Sequence, residues 1–139
     1  MNPKVSIIIP CYNSEKWIEE CVMSALSQTY ENVEVIVVDN ESTDASVGEI
    51  KKIQERHSEL IFSTAENIYP YSWEEPVNEA LSLATGNYFT ILGSDDYIEK
   101  DYVANFINII NQAPKNIMIL QSVLSTFNNT NKIKTSKIG

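Results

Sequence analysis

The sequence predicts an α/β fold built on an open, mostly parallel sheet with helices on both faces. Three observations predict it. Short β-branched apolar runs, VSIII (5–9) and VEVIVV (33–38), read as strands buried on both faces. Segments with apolar residues at helical spacing separate such runs. Strand and helix then alternate along the chain, which is the pattern of parallel strands joined by helical crossovers.

Each element has its own signal. After VSIII, Pro10 closes the first strand and Ser14 is placed to cap a helix carrying Ile18, Cys21, Val22, Ala25 and Leu26. VEVIVV is the second strand. Asp44 or Ser46 starts the next helix, whose Val47, Ile50 and Ile53 face inward. LIFS (60–63) is a short third strand, and 64–75 is a loop with Tyr69, Tyr71 and Trp73 at alternate positions. Val77, Ala80, Leu81 and Ala84 mark a helix that Gly86 stops. YFTIL (88–92) is the fourth strand. Asp101 caps a helix with Val103, Phe106, Ile107 and Ile110 that ends before Pro114, and IMILQSVL (117–124) reads as a fifth strand. Residues 1–124 are thus expected to form one α/β domain. The polar, Lys-rich tail 125–139 either folds back as a hairpin about Asn128–Asn131, opens an acceptor region, or stays unstructured.

Composition narrows the function. The 139 residues carry a formal net charge of −9, and the 43% hydrophobic content suits a chain with a sizeable core. Residues 115–139 hold four lysines and no acid, so the rest of the chain is more acidic still. Such a balance argues against nucleic acid or an anionic membrane surface as partner. An acidic body that binds phosphate needs a cation or backbone amides to do so. No apolar run reaches the roughly 20 residues of a transmembrane helix, and no signal-peptide region opens the chain. Cys11 and Cys21 match no zinc or redox spacing, and are expected to be buried or half-buried free thiols in a reducing cytoplasm.

In open parallel sheets ligands bind beyond the carboxyl ends of the strands, where strand order reverses. Three strands end suggestively, in Pro10-Cys11-Tyr12-Asn13, in Asp39-Asn40-Glu41-Ser42 and in Gly93-Ser94-Asp95-Asp96. Tyr12 can stack on a base, a contact that contributes about 1–3 kcal/mol. Asp39 can accept the N3–H of a uracil. Adjacent Asp95 and Asp96 repel unless a cation lies between them, and their hard oxygens suit Mg²⁺ or Mn²⁺ bridging to phosphates. Each also has a plainer reading: a turn cap for Asp39, a half-buried aromatic for Tyr12, a solvated turn for the acid pair. Their shared sheet edge joins them into one nucleotide-diphosphate site.

The run VSIIIPCYNSEKWIEECVMSALSQTYENVEVIVVDNESTD resembles the opening of family 2 of the inverting, nucleotide-sugar-dependent glycosyltransferases, with their P-x-Y-N and V-D-D/N-x-S-x-D strand ends. VNEALSLATGNYFTILGSDDYIEKDY resembles the family segment that ends at a D-x-D metal motif, so the likeness covers roughly residues 4–112. It implies the GT-A fold and a nucleotide-sugar donor, UDP-linked by preference, transferred to a glycan, lipid-linked or other acceptor with Mn²⁺ or Mg²⁺. By position it implies that Pro10 and Tyr12 flank the base, with Asn13 and Ser94 in the nucleotide-binding set. Asp39 bonds the base, Asp95 is the principal metal ligand, and Asp96, grouped with it at the metal site, orders the turn or touches the sugar. Ser42, Thr43 and Asp44 look like structural turn residues. The likeness further implies a cytoplasmic enzyme or one at the inner membrane face.

Two departures stand out. Gly93 replaces the first aspartate of D-x-D, and Val77-Asn78 replaces a frequent Arg-Asn pair, leaving Asn78 as the retained nucleotide-side residue. Family members also carry a catalytic Asp or Glu well beyond the metal motif, whereas no acid follows Asp101 here, so no residue of the tail is a candidate general base. Two readings therefore stay open: the donor half of a working transferase, or a non-catalytic nucleotide-sugar-binding module. A dinucleotide-binding dehydrogenase is excluded because no glycine-rich turn follows the first strand, and a phospho-receiver domain finds Pro10-Cys11 where its acids belong. His57 is read as a helix-end cation, not a catalytic group.

Overall fold

The structure is a computed structural model that describes residues 2–68 and 72–113, together with the backbone of two short strands at 124–126 and 134–136. Four parallel strands, β1 (Val5–Cys11), β2 (Val33–Asp39), β3 (Ile61–Thr64) and β4 (Tyr88–Ile91), lie in the order β3-β2-β1-β4. β1 is central, with Val5 opposite Val33 on one side and Tyr88 on the other. The helices α1 (Ile18–Leu26), α2 (Ser46–Arg56), α3 (Glu74–Leu83) and α4 (Tyr102–Gln112) alternate with them.

The period-two alternation of side chains divides β1 and β2 between two cores. Ile7, Ile9, Val35 and Val37 face a larger core with Ile18 and Val22 of α1, Ile50 and Ile53 of α2, and Val103 and Ile107 of α4. Ile8, Ile36 and Val38 face Val77 and Ala80 of α3 on the other side. Burial on both faces is why these strands read as unbroken apolar runs. The expected α/β sheet with helices on both faces is therefore what the chain forms. The crossovers through α1 and α2 step outward from β1 to β3, and the crossover through α3 returns to place β4 on the far side of β1. Strand order reverses between β1 and β4.

Several local expectations are corrected. Ser14 does not cap α1 with its hydroxyl. Its carbonyl receives the amides of Trp17 and Ile18, and the helix proper begins at Ile18. Asp101 precedes α4 without a side-chain cap, because its Oδ1 accepts from Thr29 Oγ1 instead. Asp44 lies one residue before the capping position, Ala45, and accepts the first helical amide, that of Ser46, at 2.9 Å. Val47 is only half-buried, Leu81 is 38% exposed, and β3 begins one residue later than expected. Gly86 is not a left-handed cap, since no described glycine has positive φ. A β-carbon there would lie 2.5 Å from Ser6 Oγ and 2.8 Å from Ser6 N, so the position requires close backbone approach. His57 follows α2 and pairs with Glu59 at 3.3 Å.

The predicted fifth strand at 117–124 falls almost wholly outside the described residues, as do Tyr69 and Tyr71. The strands β5 (Leu124–Thr126) and β6 (Lys134–Ser136) pair antiparallel, and the turn between them is outside the described residues.

Candidate functional site

A cavity of about 550 Å³ opens at the carboxyl ends of β1, β2 and β4, at the point where strand order reverses. Pro10, Tyr12 and Asn13 line it from β1 and its loop, and Ser94 and Asp95 from the turn after β4. The sequence reading placed all five at a ligand edge. Three others lie off the lining: Asp39 is buried beneath it, while Asn78 and Asp96 are exposed outside it. Cys11, Asn40, Ser72, Trp73 and Ile91 also line the cavity. The described lining contains no Lys, Arg or His.

The β1–α1 loop is held in an unusual backbone form. Asn13 has φ 47°, in the left-handed region that asparagine tolerates. Its Oδ1 accepts the amides of Thr43 (2.8 Å) and Asp44 (3.3 Å), and its own amide donates to Ser42 Oγ at 2.9 Å. The side chain is thus engaged with the β2–α2 loop. Ser42, Thr43 and Asp44 all serve the loop's internal bonding, as their positions after the strand suggested.

Asp39 is 1% exposed and receives both the amide (2.9 Å) and hydroxyl (2.5 Å) of Ser42. The alternation of β2 sends the next residue the other way. Asn40 donates its Nδ2 to the carbonyl of Ser72 at 2.8 Å, and its Oδ1 is a buried acceptor with no partner among the described residues. The sequence signal for Asn40 was available, because consecutive residues at a strand end point to opposite faces. Trp73 was marked by its alternation with Tyr69 and Tyr71 as an aromatic of a loop beside the donor, whereas Trp17 and Ile91 carried no signal. Trp17, Trp73 and Ile91 are 49%, 58% and 41% exposed, forming apolar walls that only the tertiary arrangement brings together.

The turn after β4 concentrates negative charge. A β-carbon at Gly93 would stand 2.9 Å from Asp96 Oδ2 and 3.2 Å from Asp95 Oδ1, so the two carboxylates converge over this glycine. Partial desolvation, and then the charge of Asp95, raise the Asp96 carboxyl above its ordinary range. The described residues contain no cluster of three or more metal-ligating side chains. Two exposed carboxylates nevertheless fit Mg²⁺ or Mn²⁺, which are commonly held by one or two carboxylates with substrate phosphates and water. Cys11 and Cys21 are buried free thiols, as expected. Burial, and then the charge of Asp39, push the Cys11 thiol up to about 12, so it is no nucleophile.

The sequence model of glycosyl transferase family 2 matches residues 6–138. The chain is 39% identical over 104 residues to the glycosyltransferase GlyA of Streptococcus pneumoniae serotype 4, covering 74% of this chain and 14% of that protein. Among solved structures, TarS residues 1–349 of S. aureus in complex with UDP aligns with TM-score 0.66 and 32% identity, over 78% of this chain and 32% of that one. The mannosyltransferase PcManGT of Pyrobaculum calidifontis, in complex with GDP-Man and Mn²⁺, aligns with TM-score 0.69 and 31% identity, over 78% and 32%. The chain spans less than half the length of the curated relatives it matches.

Proposed function

The chain belongs to glycosyl transferase family 2, and on that premise we propose that residues 1–124 are the donor-binding portion of a transferase using a nucleotide sugar, UDP-linked by preference, and a divalent metal. One observation carries the reading. The cavity at the strand-order reversal has a carboxylate, Asp95, at one end, an aromatic and an amide at the other, and no described cationic side chain between them. A diphosphate can enter so acidic a site only with a cation that offsets both its own charge and that of the acid pair. The UDP and the GDP-Man–Mn²⁺ held by TarS and PcManGT support the same reading.

In this proposal Tyr12 and Pro10 flank the base. Asp39 accepts the base N–H with the oxygen capacity that Ser42 leaves, and Asn40 Oδ1 offers a second acceptor at that end. Ser94 faces the diphosphate, while Asp95, with Asp96 beside it, would hold Mn²⁺ or Mg²⁺. When bound, the metal supplies positive charge that stabilises the departing diphosphate. Asn13 acts on the nucleotide through the loop it fixes, and Asn78, exposed on α3, contributes at most at the rim. The acceptor, whether glycan, lipid-linked or other, is met by the remainder of the transferase. No described helix is long and apolar enough to cross a membrane, and work on the cytoplasmic side or at the inner membrane face is part of the proposal.

Calorimetric titration of UDP tests it. Heat of binding with Mn²⁺ that disappears in EDTA is the expected result. Absence of binding in both, repeated with GDP, CDP and dTDP, would overturn donor binding. Binding without any sugar transfer by a chain extended through its acceptor region would favour a non-catalytic nucleotide-sugar module.

A further inference from the structure

Ser14 lines the cavity between its two ends, and the bonds converge on it. Its Oγ lies 2.6 Å from Ser94 Oγ, and both residues are buried, at 4% and 9% exposure. The same Oγ is 3.1 Å from the carbonyl of Tyr12, and the Ser14 amide donates to Ser46 Oγ at 2.7 Å. Ser46 in turn donates to Asp44 Oδ1 at 2.6 Å, within the loop that Asn13 clamps. The β1–α1 loop with Tyr12, the β2–α2 loop below Asp39 and the acidic turn beside Asp95 are therefore joined through one residue.

The acidic turn is also attached at its flanks, where Leu92 N donates to Ile8 O at 2.8 Å and Ile98 N donates to Ser24 Oγ at 3.2 Å. Asp96 N donates to Gly93 O at 3.0 Å within the turn, and the Gly93 carbonyl also accepts from Cys21 Sγ at 3.3 Å, a weak thiol bond. Ser94 is the residue next to the proposed metal ligand, and Ser14 is the hydroxyl that holds it. Two carboxylates converging on one point drive such a turn open unless something anchors it.

We propose that Ser14 is a positioning residue that couples the metal end of the cavity to its base end, so that metal and nucleotide bind cooperatively. This rests on the donor-binding reading. The Ser14–Ser94 bond fixes Asp95 relative to Tyr12, and a nucleotide diphosphate spanning both ends then meets a metal already at the right separation. With the bond removed, each end keeps its own contacts and the pair loses its register.

Titration of UDP at saturating Mn²⁺ into the wild type, Ser14→Ala, Ser94→Ala and the double variant tests this, together with the Mn²⁺ concentration giving half-maximal UDP binding. Each single variant is expected to weaken UDP·Mn²⁺ binding about tenfold and to raise the half-saturating Mn²⁺ by a similar factor. The double variant should be no worse than Ser94→Ala alone, because Ser14 acts only through the bond that Ser94→Ala already removes. Thermal unfolding of all four identifies any variant that has lost its fold, and Ser94→Ala, further from the β1–α1 backbone, keeps the test open if Ser14→Ala unfolds. Multiplying effects in the double variant, or an unchanged Mn²⁺ requirement in the singles, would overturn the coupling. Failure of the wild type to bind UDP would instead overturn the donor-binding reading.

Discussion

The two ends of the sheet use polar groups in opposite ways. At the amino-terminal edge, Glu34 is almost buried and fully satisfied: Lys4 Nζ lies 2.6 Å away, Ser6 Oγ donates at 2.6 Å, and Thr85 donates from both its amide (2.6 Å) and hydroxyl (2.8 Å). Gly86 then donates its amide to Ser6 Oγ at 3.0 Å. At the carboxyl edge, two acids converge beside a cavity whose described lining has no Lys, Arg or His, and Asn40 keeps a buried acceptor without a partner among the described residues. One edge completes its chemistry within the chain and stabilises it. The other leaves chemistry incomplete, which is what a ligand can complete.

Substitutions that strike one edge should spare the other. The largest effect is expected from Asp95→Asn, which should weaken Mn²⁺-dependent UDP binding by at least about a hundredfold in calorimetry, with surface-like effects on stability of roughly 0.5 kcal/mol or less. A comparable loss of stability would break the contrast. Glu34→Ala should do the reverse, costing about 1–3 kcal/mol in urea unfolding by leaving Ser6 and the Thr85 amide without their acceptor, with nucleotide affinity in the folded fraction unchanged. Gly86→Ala is expected to cost about 1–3 kcal/mol, since the new methyl meets the Ser6 backbone rather than a movable side-chain tip.

Acid titration sharpens the comparison further. Burial alone would raise the Glu34 carboxyl, but hydrogen bonds from Lys4, Ser6 and Thr85 outweigh it and hold it at about 2, against an ordinary 4.5. A depressed carboxyl favours the native state above the unfolded value. Its contribution should therefore be complete above pH 4.5 and be lost as the pH falls from there toward 2, with a slope of at most about 1.4 kcal/mol per pH unit. Glu34→Gln should flatten that limb of the stability curve. Asp96 has the opposite sign, because its carboxyl is raised. Asp96→Asn is the smallest effect expected: up to about 0.5 kcal/mol of added stability without metal, read as a slight rise in melting temperature that Mn²⁺ abolishes.

How much of this was legible in the sequence follows from the range of the interactions involved. VSIII and VEVIVV announced central strands because burial on both faces leaves no polar alternation. Tyr12, Ser94 and Asp95 were legible because they directly follow strands, where the topology itself places ligands. Ser14 and Asp101 were misread as caps, since each has a competing partner some 70 to 80 residues away, Ser94 and Thr29 respectively, that local spacing cannot reveal. Gly86 was read as a helix stop for the same reason, when its constraint is the backbone of Ser6 on a neighbouring strand. The walls formed by Trp17, Trp73 and Ile91 come from three separate elements, and nothing local to any of them points to the others.

The left-handed backbone at Asn13 carries a consequence for what a short motif encodes. Glycine would accept φ 47° without strain but would lose the bonds to Thr43 and Asp44, and most other side chains would supply neither the conformation nor the bonds. The two letters Tyr-Asn therefore belong to different vocabularies, the first lining the cavity and the second written by the chain's own geometry. A search pattern built on that pair selects for a loop shape as much as for a substrate.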